Sequence, residues 1–529
     1  MRFRVWAPAA RRVELDLNGV RLPMTEFQNG WRQTEAVASA GDRYGYVLDG
    51  DGPFPDPRSR SQPDGVHGLS AVPDPGAHGW QDGDWTGLEL REAVIYELHV
   101  GTFTPGGTFD TAIERLDHLV ELGVNAVELM PVVEFSGERG WGYDGVDLFA
   151  PHHAYGGPAG LRRLVDACHR RGLAVVMDVV YNHLGPEGNY LGRYGPYFTD
   201  RYSTPWGAAV NYDDRGSQEV RELVFENALM WLTDYHCDGL RLDAVHAIWD
   251  FSARHLLEEL SERVRALGGR HFLIAESDLN DPRLVTAPER GGLGIDAQWS
   301  DDLHHSLHTV LTGEGSGYYA DFGSLEQLGK ALRQAFVYDG EYSEFRGRRH
   351  GRSPAGLPPH RFLAYAQNHD QIGNRARGER LSQLVPAGAL RIAAGLVLLG
   401  RFVPMLFQGE EWGARTPFQF FSSHADPAVA RATSEGRMHE FEAFGWSPED
   451  VPDPQSVETF DRSRLNWDEP DQEPHRSLLE WHRELIRLRN QTPGAEVEVE
   501  VDAEARLITL RRGPITLLCD FENREARLA

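Results

Sequence analysis

Three stretches of alternating apolar and polar residues, FRVWAP, RVELDL and YGYVLDG, open the chain between Asn-Gly and Asp-Gly turns. Period-two alternation with such turns predicts antiparallel strands, here a small β-sandwich over residues 1–85. Residues 53–75, rich in Pro, Asp, Gly and Ser, read as a loop or linker. From residue 93 the pattern changes to apolar runs alternating with amphipathic helices, as in a parallel sheet with helical crossovers. VIYELHV, NAVELMP and LAVVMDVVYNH predict the first three strands, and GLRL, HFLIAES, AQW, FLAYAQNHD and FVPMLFQGEEWG the other five. With the helices between them, the first over 109–123 and closed by Gly123, they predict a (β/α)8 TIM barrel over residues 90–475 of a multidomain chain. Two connections, 137–154 and 184–214, are long, the second beyond an ordinary βα loop. Residues 416–474 read as an irregular loop, and 476–529 as a helix and a small β domain with few strands to close a sandwich.

At 529 residues the chain exceeds single-domain size, and 41% apolar with 25% charged residues excludes disorder. A formal charge of −27 disfavours nucleic acid and anionic membrane, both of which require a basic face, and suits a neutral partner. Cys168, Cys237 and Cys519 have no CxxC or metal-ligand spacing and read as buried thiols of a reducing cytosol. The N-terminus has no apolar stretch of signal-peptide length, and no later run is long enough to span a membrane. The expectation is a cytoplasmic protein, a monomer or weak homo-oligomer.

Candidate chemistry gathers where strands end. Arg241 and Asp243, two apart in GLRLDAVH, point to the same side of their strand, as a buried carboxylate requires. A structural ion pair would explain that motif alone. Three further strands end alike, in Asp178 with Asn182-His183, in Glu276 with Asp278, and in His369-Asp370, at the edge where barrel sites form. Carboxylates converging with Arg and His suit acid-base chemistry at an acetal, such as glycoside hydrolysis. Asp243, beside Arg241, is expected to stay ionised as nucleophile. Glu276, after the apolar run FLIA and with no adjacent cation, is expected to carry the raised pKa of a general acid. Asp370 is expected to grip sugar hydroxyls and favour developing positive charge. Trp141 and Tyr143 in ERGWGYDG, and Trp299 after strand six, offer rings for sugar faces, and the glycines tip Trp141 toward exposure.

Other motifs carry less. GPAG before a helix lacks the Gly-Lys-Ser/Thr ending of a phosphate loop. His152-His153 and His304-His305 predict no metal, because adjacent histidines project differently and only Asp301 and Asp302 stand near at ligand spacing. An ion, if bound, would be calcium held by oxygens around Asn182 and the excursion after it.

DVVYNH (178–183), GLRLDAVH (239–246), AESD (275–278) and NHDQIGN (368–374) resemble, in order, the four signature regions of the α-amylase family of retaining glycoside hydrolases. The resemblance implies Asp243 as nucleophile, Glu276 as acid/base and Asp370 as transition-state stabiliser, with Arg241, His183 and His369 as supporting sugar contacts. It also implies substrate contacts from Leu242, Ala244, Val245, His246, Gln371, Ile372, Gly373 and Asn374, and from Tyr143 and Trp141. FRVWAPAARRVEL is similar to the β-sandwich that precedes the barrel in branching, debranching and trehalose-releasing members. YELHVGTFTPGGTF (96–109), DAQWSDDLHHSLH (296–308) and LFQGEEWGARTPFQFF (406–421) are most similar to the trehalose-releasing ones. That likeness implies hydrolysis of the α-1,4 bond next to a terminal α,α-1,1-linked trehalose unit, with Asp301, Asp302, Leu303, His304 and His305 gripping the substrate. The implied partner is a neutral oligosaccharide, and no cofactor is implied. A branching enzyme has the same fold and carboxylates but transfers in place of hydrolysing. A catalytically dead glucan-binding barrel would have lost Asp243 or Glu276, and both are present.

Overall fold

The structure, a computed structural model, describes residues 1–529 other than 75, 77, 205 and 443–450. Its centre is eight buried strands: Ile95–Leu98 (β1), Ala126–Leu129 (β2), Ala174–Val179 (β3), Gly239–Leu242 (β4), Phe272–Ala275 (β5), Ala297–Trp299 (β6), Phe362–Ala364 (β7) and Val403–Phe407 (β8). They pair in parallel and in sequence, and β8 returns to β1, closing the (β/α)8 barrel that the periodicity predicts. Six of the strands are shorter than the runs that predict them, and GLRL and AQW match theirs, so Asp243, Glu276 and His369-Asp370 lie just beyond the ladder while Asp178 and Arg241 lie within it. β4 stops because Ala244 takes a left-handed φ of 38°.

Register then fixes which side chains meet. Asp178 of β3 lies opposite Arg241 of β4, and Leu242 lies opposite Ala275 of β5. The next residues, Asp243 and Glu276, therefore leave the barrel side by side.

Four expectations change. The helix of 109–123 is two, Phe109–Ile113 and Leu116–Leu122, although Gly123 does end the second with φ 96°. Residues 416–474 include the helices Pro427–Glu442 and Val457–Arg462, while 443–450 lie outside the described residues. The stretch 53–75, whose residue 75 lies outside the description, contains the strand Ser70–Ala71 and is tied to the barrel by ion pairs Arg58–Glu226 and Arg60–Asp234. Its polar composition serves docking. The C-terminal strands Val497–Asp502, Leu507–Arg512 and Ile515–Asp520 gain a fourth, Glu525–Leu528, and this sheet packs on barrel helices. Gly329 permits the approach: a Cβ there would stand 2.3 Å from Val501 Cγ2.

At the other end, Arg2–Trp6 pairs with Trp31–Glu35 in one antiparallel sheet, and Val13–Leu17 with Arg43–Leu48 in another. Phe3 and Tyr44 meet between the sheets at 5.1 Å, and Trp6 packs on Tyr197 at 5.2 Å. The excursion 184–214 that supplies Tyr197 contains a helical turn, Leu191–Tyr194, and a hairpin, Phe198–Thr204 with Gly207–Val210; its residue 205 lies outside the description. All three cysteines are buried and unpaired, and among the described residues no helix is long and apolar enough to cross a membrane.

Candidate active site

Arg241 is fully buried and organises three carboxylates. Its Nη1 donates to Asp178 Oδ1 at 2.8 Å and to Asp243 Oδ1 at 2.8 Å, and its Nη2 stands 2.9 Å from Glu276 Oε2. The guanidinium lies over the Trp299 ring at 4.3 Å, which fixes its plane. Glu276 thus does have an adjacent cation, contrary to the sequence reading, because β4 and β5 are neighbours in space. The outcome for its proton is nevertheless the expected one. Burial drives the Glu276 pKa well above the usual carboxylate range against the pull of Arg241, with the charges of Asp243 and Asp370 adding to the rise. For Asp243, burial is opposed by Arg241, by His183 and by the 2.7 Å bond from Asn182 Nδ2 to Oδ2, and the pKa falls below the ordinary value. Asp178, buried beneath them, is pushed up to about 6 despite Arg241. Ala244, strained at φ 38°, aims its N–H at Glu276 Oε2, 2.8 Å away.

On the β7 side, Asn368 caps the short helix His369–Gly373, and Asn374 Nδ2 donates to Asp370 Oδ1 at 2.8 Å. His369 is gripped by Glu97 of β1, which accepts from its backbone N–H at 3.0 Å and meets Nδ1 at 2.5 Å. Its Nε2 meets the Tyr143 hydroxyl at 2.8 Å, and that hydroxyl donates to Asp178 at 2.7 Å. Burial works against a charged His369, but Glu97 prevails and raises its pKa. Glu97 and its register partner Glu128 are site residues the sequence reading passes over, though a lone carboxylate inside an apolar run is a usable signal. Breaking a buried pair leaves an unpartnered charge, so Glu97→Ala is expected to lose roughly 3 kcal/mol of stability. A folded pKa above about 6.5 means the His369 contribution is whole below pH 6.5 and fades as pH rises through the raised value. The thermal midpoint difference between Glu97→Ala and the parent should therefore be largest at acid pH, and a pH-independent difference would show that His369 is not held as a cation.

Other positions depart from expectation. Trp141 is buried, stacked on Phe418 at 5.3 Å with its Nε1–H donated to Gln419 O, and so cannot offer a free face. Gly373 leaves room for that ring, since a Cβ would stand 2.0 Å from it. Leu242, Val245, Leu303 and Ile372 are core residues. Asp302 accepts from Asn280 and from the backbone N–H of Val337 and Tyr338, and His304 meets Ala366 O and Tyr319 Oη; both side chains work inside the fold. Gln371 is turned back to cap Asn368. His305 is buried against Tyr318 and Phe322, and its pKa is driven down to about 3 by burial. Asp301 alone of that segment stays half-buried, pushed up to about 7 by burial and paired with the Tyr365 hydroxyl. His183 is buried under Trp206, stacked at 4.5 Å, and His246 is exposed.

Of the two adjacent histidine pairs expected to diverge, His304-His305 reaches separate partners and His152-His153 converges. His152 Nδ1 and His153 Nδ1 both turn to Glu134, at 3.2 and 2.7 Å, and these donors lie within 4.8 Å of one another, as a metal would need. Asn182 gives its amide to Asp243, and its oxygen meets His183 Nδ1.

The family model described as the alpha amylase catalytic domain matches residues 54–202. A malto-oligosyltrehalose trehalohydrolase of Arthrobacter ramosus is 54% identical over 97% of this chain and 92% of its own length. One from Mycobacterium tuberculosis is 51% identical over 98% of this chain and 92% of its own. Among solved structures, a provisionally named alpha amylase from Salmonella typhimurium superposes with a TM-score of 0.91 at 41% identity, covering 98% of this chain and 90% of that one. The chain belongs to the malto-oligosyltrehalose trehalohydrolases, glycoside hydrolases of the alpha-amylase family.

Proposed function

We propose that this chain cleaves the α-1,4 bond next to the terminal trehalose of a maltooligosyltrehalose, with retention at the anomeric carbon. The observation that carries this is the pair Asp243 and Glu276, adjacent on one arginine and pushed to opposite protonation states. The ionised Asp243 attacks the anomeric carbon while Glu276 gives its proton to the glycosidic oxygen, and trehalose leaves. The resulting glycosyl ester carries no charge on Asp243. One of the causes holding the Glu276 pKa up is thereby gone, so Glu276 stays ionised after giving up its proton and is available as the base of the second step. It then takes a proton from water, which attacks the same carbon, freeing the maltooligosaccharide and Asp243. Asp370, held by Asn374, faces the sugar hydroxyls, while His369, held as a cation with both ring nitrogens taken by Glu97 and Tyr143, braces the site from behind, and Asp301 is a second candidate contact. The buried, unpaired cysteines support a cytoplasmic setting.

Product analysis tests the reading. Maltotriosyltrehalose should yield trehalose and maltotriose, whereas maltopentaose and amylose react slowly. New α-1,6 branches in amylose, without trehalose, would move the assignment to a branching enzyme.

A further inference from the structure

We propose that Glu134, His152 and His153 form a zinc site that clips together the base of the loop presenting Tyr143 to the active site. The loop lies between the paired strands Val133–Glu134 and Asp147–Pro151. Glu134 ends the first strand, and His152 and His153 follow the second, so the three side chains meet at the base of the loop. From that loop Tyr143 donates to Asp178 and meets His369 Nε2.

His152 is what an ordinary ion pair leaves unexplained. Its side chain is 0% exposed, and among the described residues neither ring nitrogen makes a hydrogen bond. Nδ1 stands 3.2 Å from Glu134 Oε1 without the alignment that a hydrogen bond requires. A buried imidazole with both nitrogens idle costs free energy that a bond to a metal would offset. The ring is held from turning to another partner, because Phe135 stacks on it at 3.8 Å and Tyr155 meets it edge-on at 4.9 Å. Glu134 is equally prepared. Its Oε2 accepts the His153 backbone N–H at 2.8 Å, which fixes the carboxylate and leaves Oε1 turned to both imidazoles.

Spacing and donor type select the metal. Zinc bonds of about 2.0–2.2 Å at a tetrahedral angle set neighbouring ligand atoms roughly 3.3 Å apart. The His152–Glu134 distance of 3.2 Å matches, and the 2.7 Å between His153 and Glu134 needs to open by roughly half an ångström. His153 has that freedom, its side chain being 30% exposed, and the same opening leaves a fourth position to water. Two imidazoles and one carboxylate favour zinc over calcium and magnesium, which take oxygen ligands. The surroundings are acidic, since Asp147 stands opposite Glu134 in the strand pair and Glu138 and Asp64 bring negative charge to His153.

Equilibrium dialysis of the full chain, stripped by a chelator, against zinc chloride tests the site. The parent should hold one zinc per chain, and its thermal midpoint should climb with zinc concentration. His153→Ala lies at a part-exposed position where folding should survive, and it should bind zinc at least roughly a hundredfold more weakly. Cobalt(II) in place of zinc gives a readout that needs no variant, because a four-coordinate ion absorbs strongly in the visible. With zinc bound, hydrogen exchange across residues 135–151 should slow in the parent and stay unchanged in the variant. No zinc retained, or the weak cobalt spectrum of a hydrated six-coordinate ion, would overturn the site. Equal zinc binding by His153→Ala would overturn it too, by assigning the metal to histidines elsewhere on the surface. Zinc binding without slower exchange in the loop would overturn the clip.

Discussion

Asp243→Asn should release trehalose at least roughly 10⁴-fold more slowly than the parent, with KM little changed. The substitution keeps the shape of the side chain, so an amide oxygen can still accept from Arg241 Nη1, 2.8 Å away in the parent. What is lost is the negative charge and the lone pair that attacks carbon. Arg241 keeps Asp178 and Glu276 as partners, so no buried cation is stranded and the fold should hold. A second consequence follows from the coupling of the two carboxyls. Since the Asp243 charge is one of the causes lifting the Glu276 pKa, the variant should show Glu276 titrating lower than in the parent, readable by infrared difference spectroscopy of the carboxyl. A rate loss under tenfold would remove Asp243 from the nucleophile's role.

The barrel was legible because its strands are buried on both faces and read as unbroken apolar runs, so a charge at the end of one stands out. Asp178, Arg241, Asp243, Glu276 and Asp370 all announced themselves in this way. What the sequence concealed depends on contacts between distant residues. Trp141 in its glycine-rich loop looked exposed, yet its partners Phe418 and Gln419 arrive from beyond β8. The cation beside Glu276 belongs to the neighbouring strand and is invisible to a reading of adjacent residues. Asp302 and His304 sit in a motif that promises substrate contact, but a helix has an inner face, and theirs supplies Val337, Tyr338 and Ala366 with partners.

Composition misled where a polar stretch had structural work. Arg58 and Arg60, in a Pro- and Gly-rich segment that reads as a linker, pin the N-terminal sheets to the helix Ser217–Thr233 and its C-cap through Glu226 and Asp234. The same applies to Asp213, an unremarked acid that accepts from the Tyr202 hydroxyl and the Phe251 backbone N–H. In both cases the partner, and with it the reason for the charge, comes from elsewhere in the chain.

Glu276→Gln separates the two jobs assigned to one carboxyl. With trehalose as leaving group the first step needs a proton, and the variant should fall roughly 10³-fold in kcat/KM. With an α-maltosyl fluoride the leaving group needs no acid, so the glycosyl ester forms and then waits for a base that is missing. Azide, a nucleophile with no proton to lose, should restore turnover and give a glycosyl azide of unchanged anomeric configuration. An inverted azide, or rescue of the trehalose substrate as well, would contradict the double displacement. The pH profile should change with it. In the parent, activity falls at acid pH as Asp243 is protonated and at alkaline pH as Glu276 is ionised, because the one pKa lies below and the other above the ordinary range. Only the alkaline limb should vanish in the variant. Stability should move the opposite way from activity. A carboxyl whose pKa rises on folding stabilises the protein fully at pH below its unfolded value, and that stability is lost as pH rises through the folded value. The parent therefore carries a destabilising, acid-holding Glu276 at neutral pH, and Glu276→Gln should melt higher there and at the same temperature as the parent near pH 4. Equal midpoints at both pH values would mean that the site does not hold the proton its geometry was built to deliver.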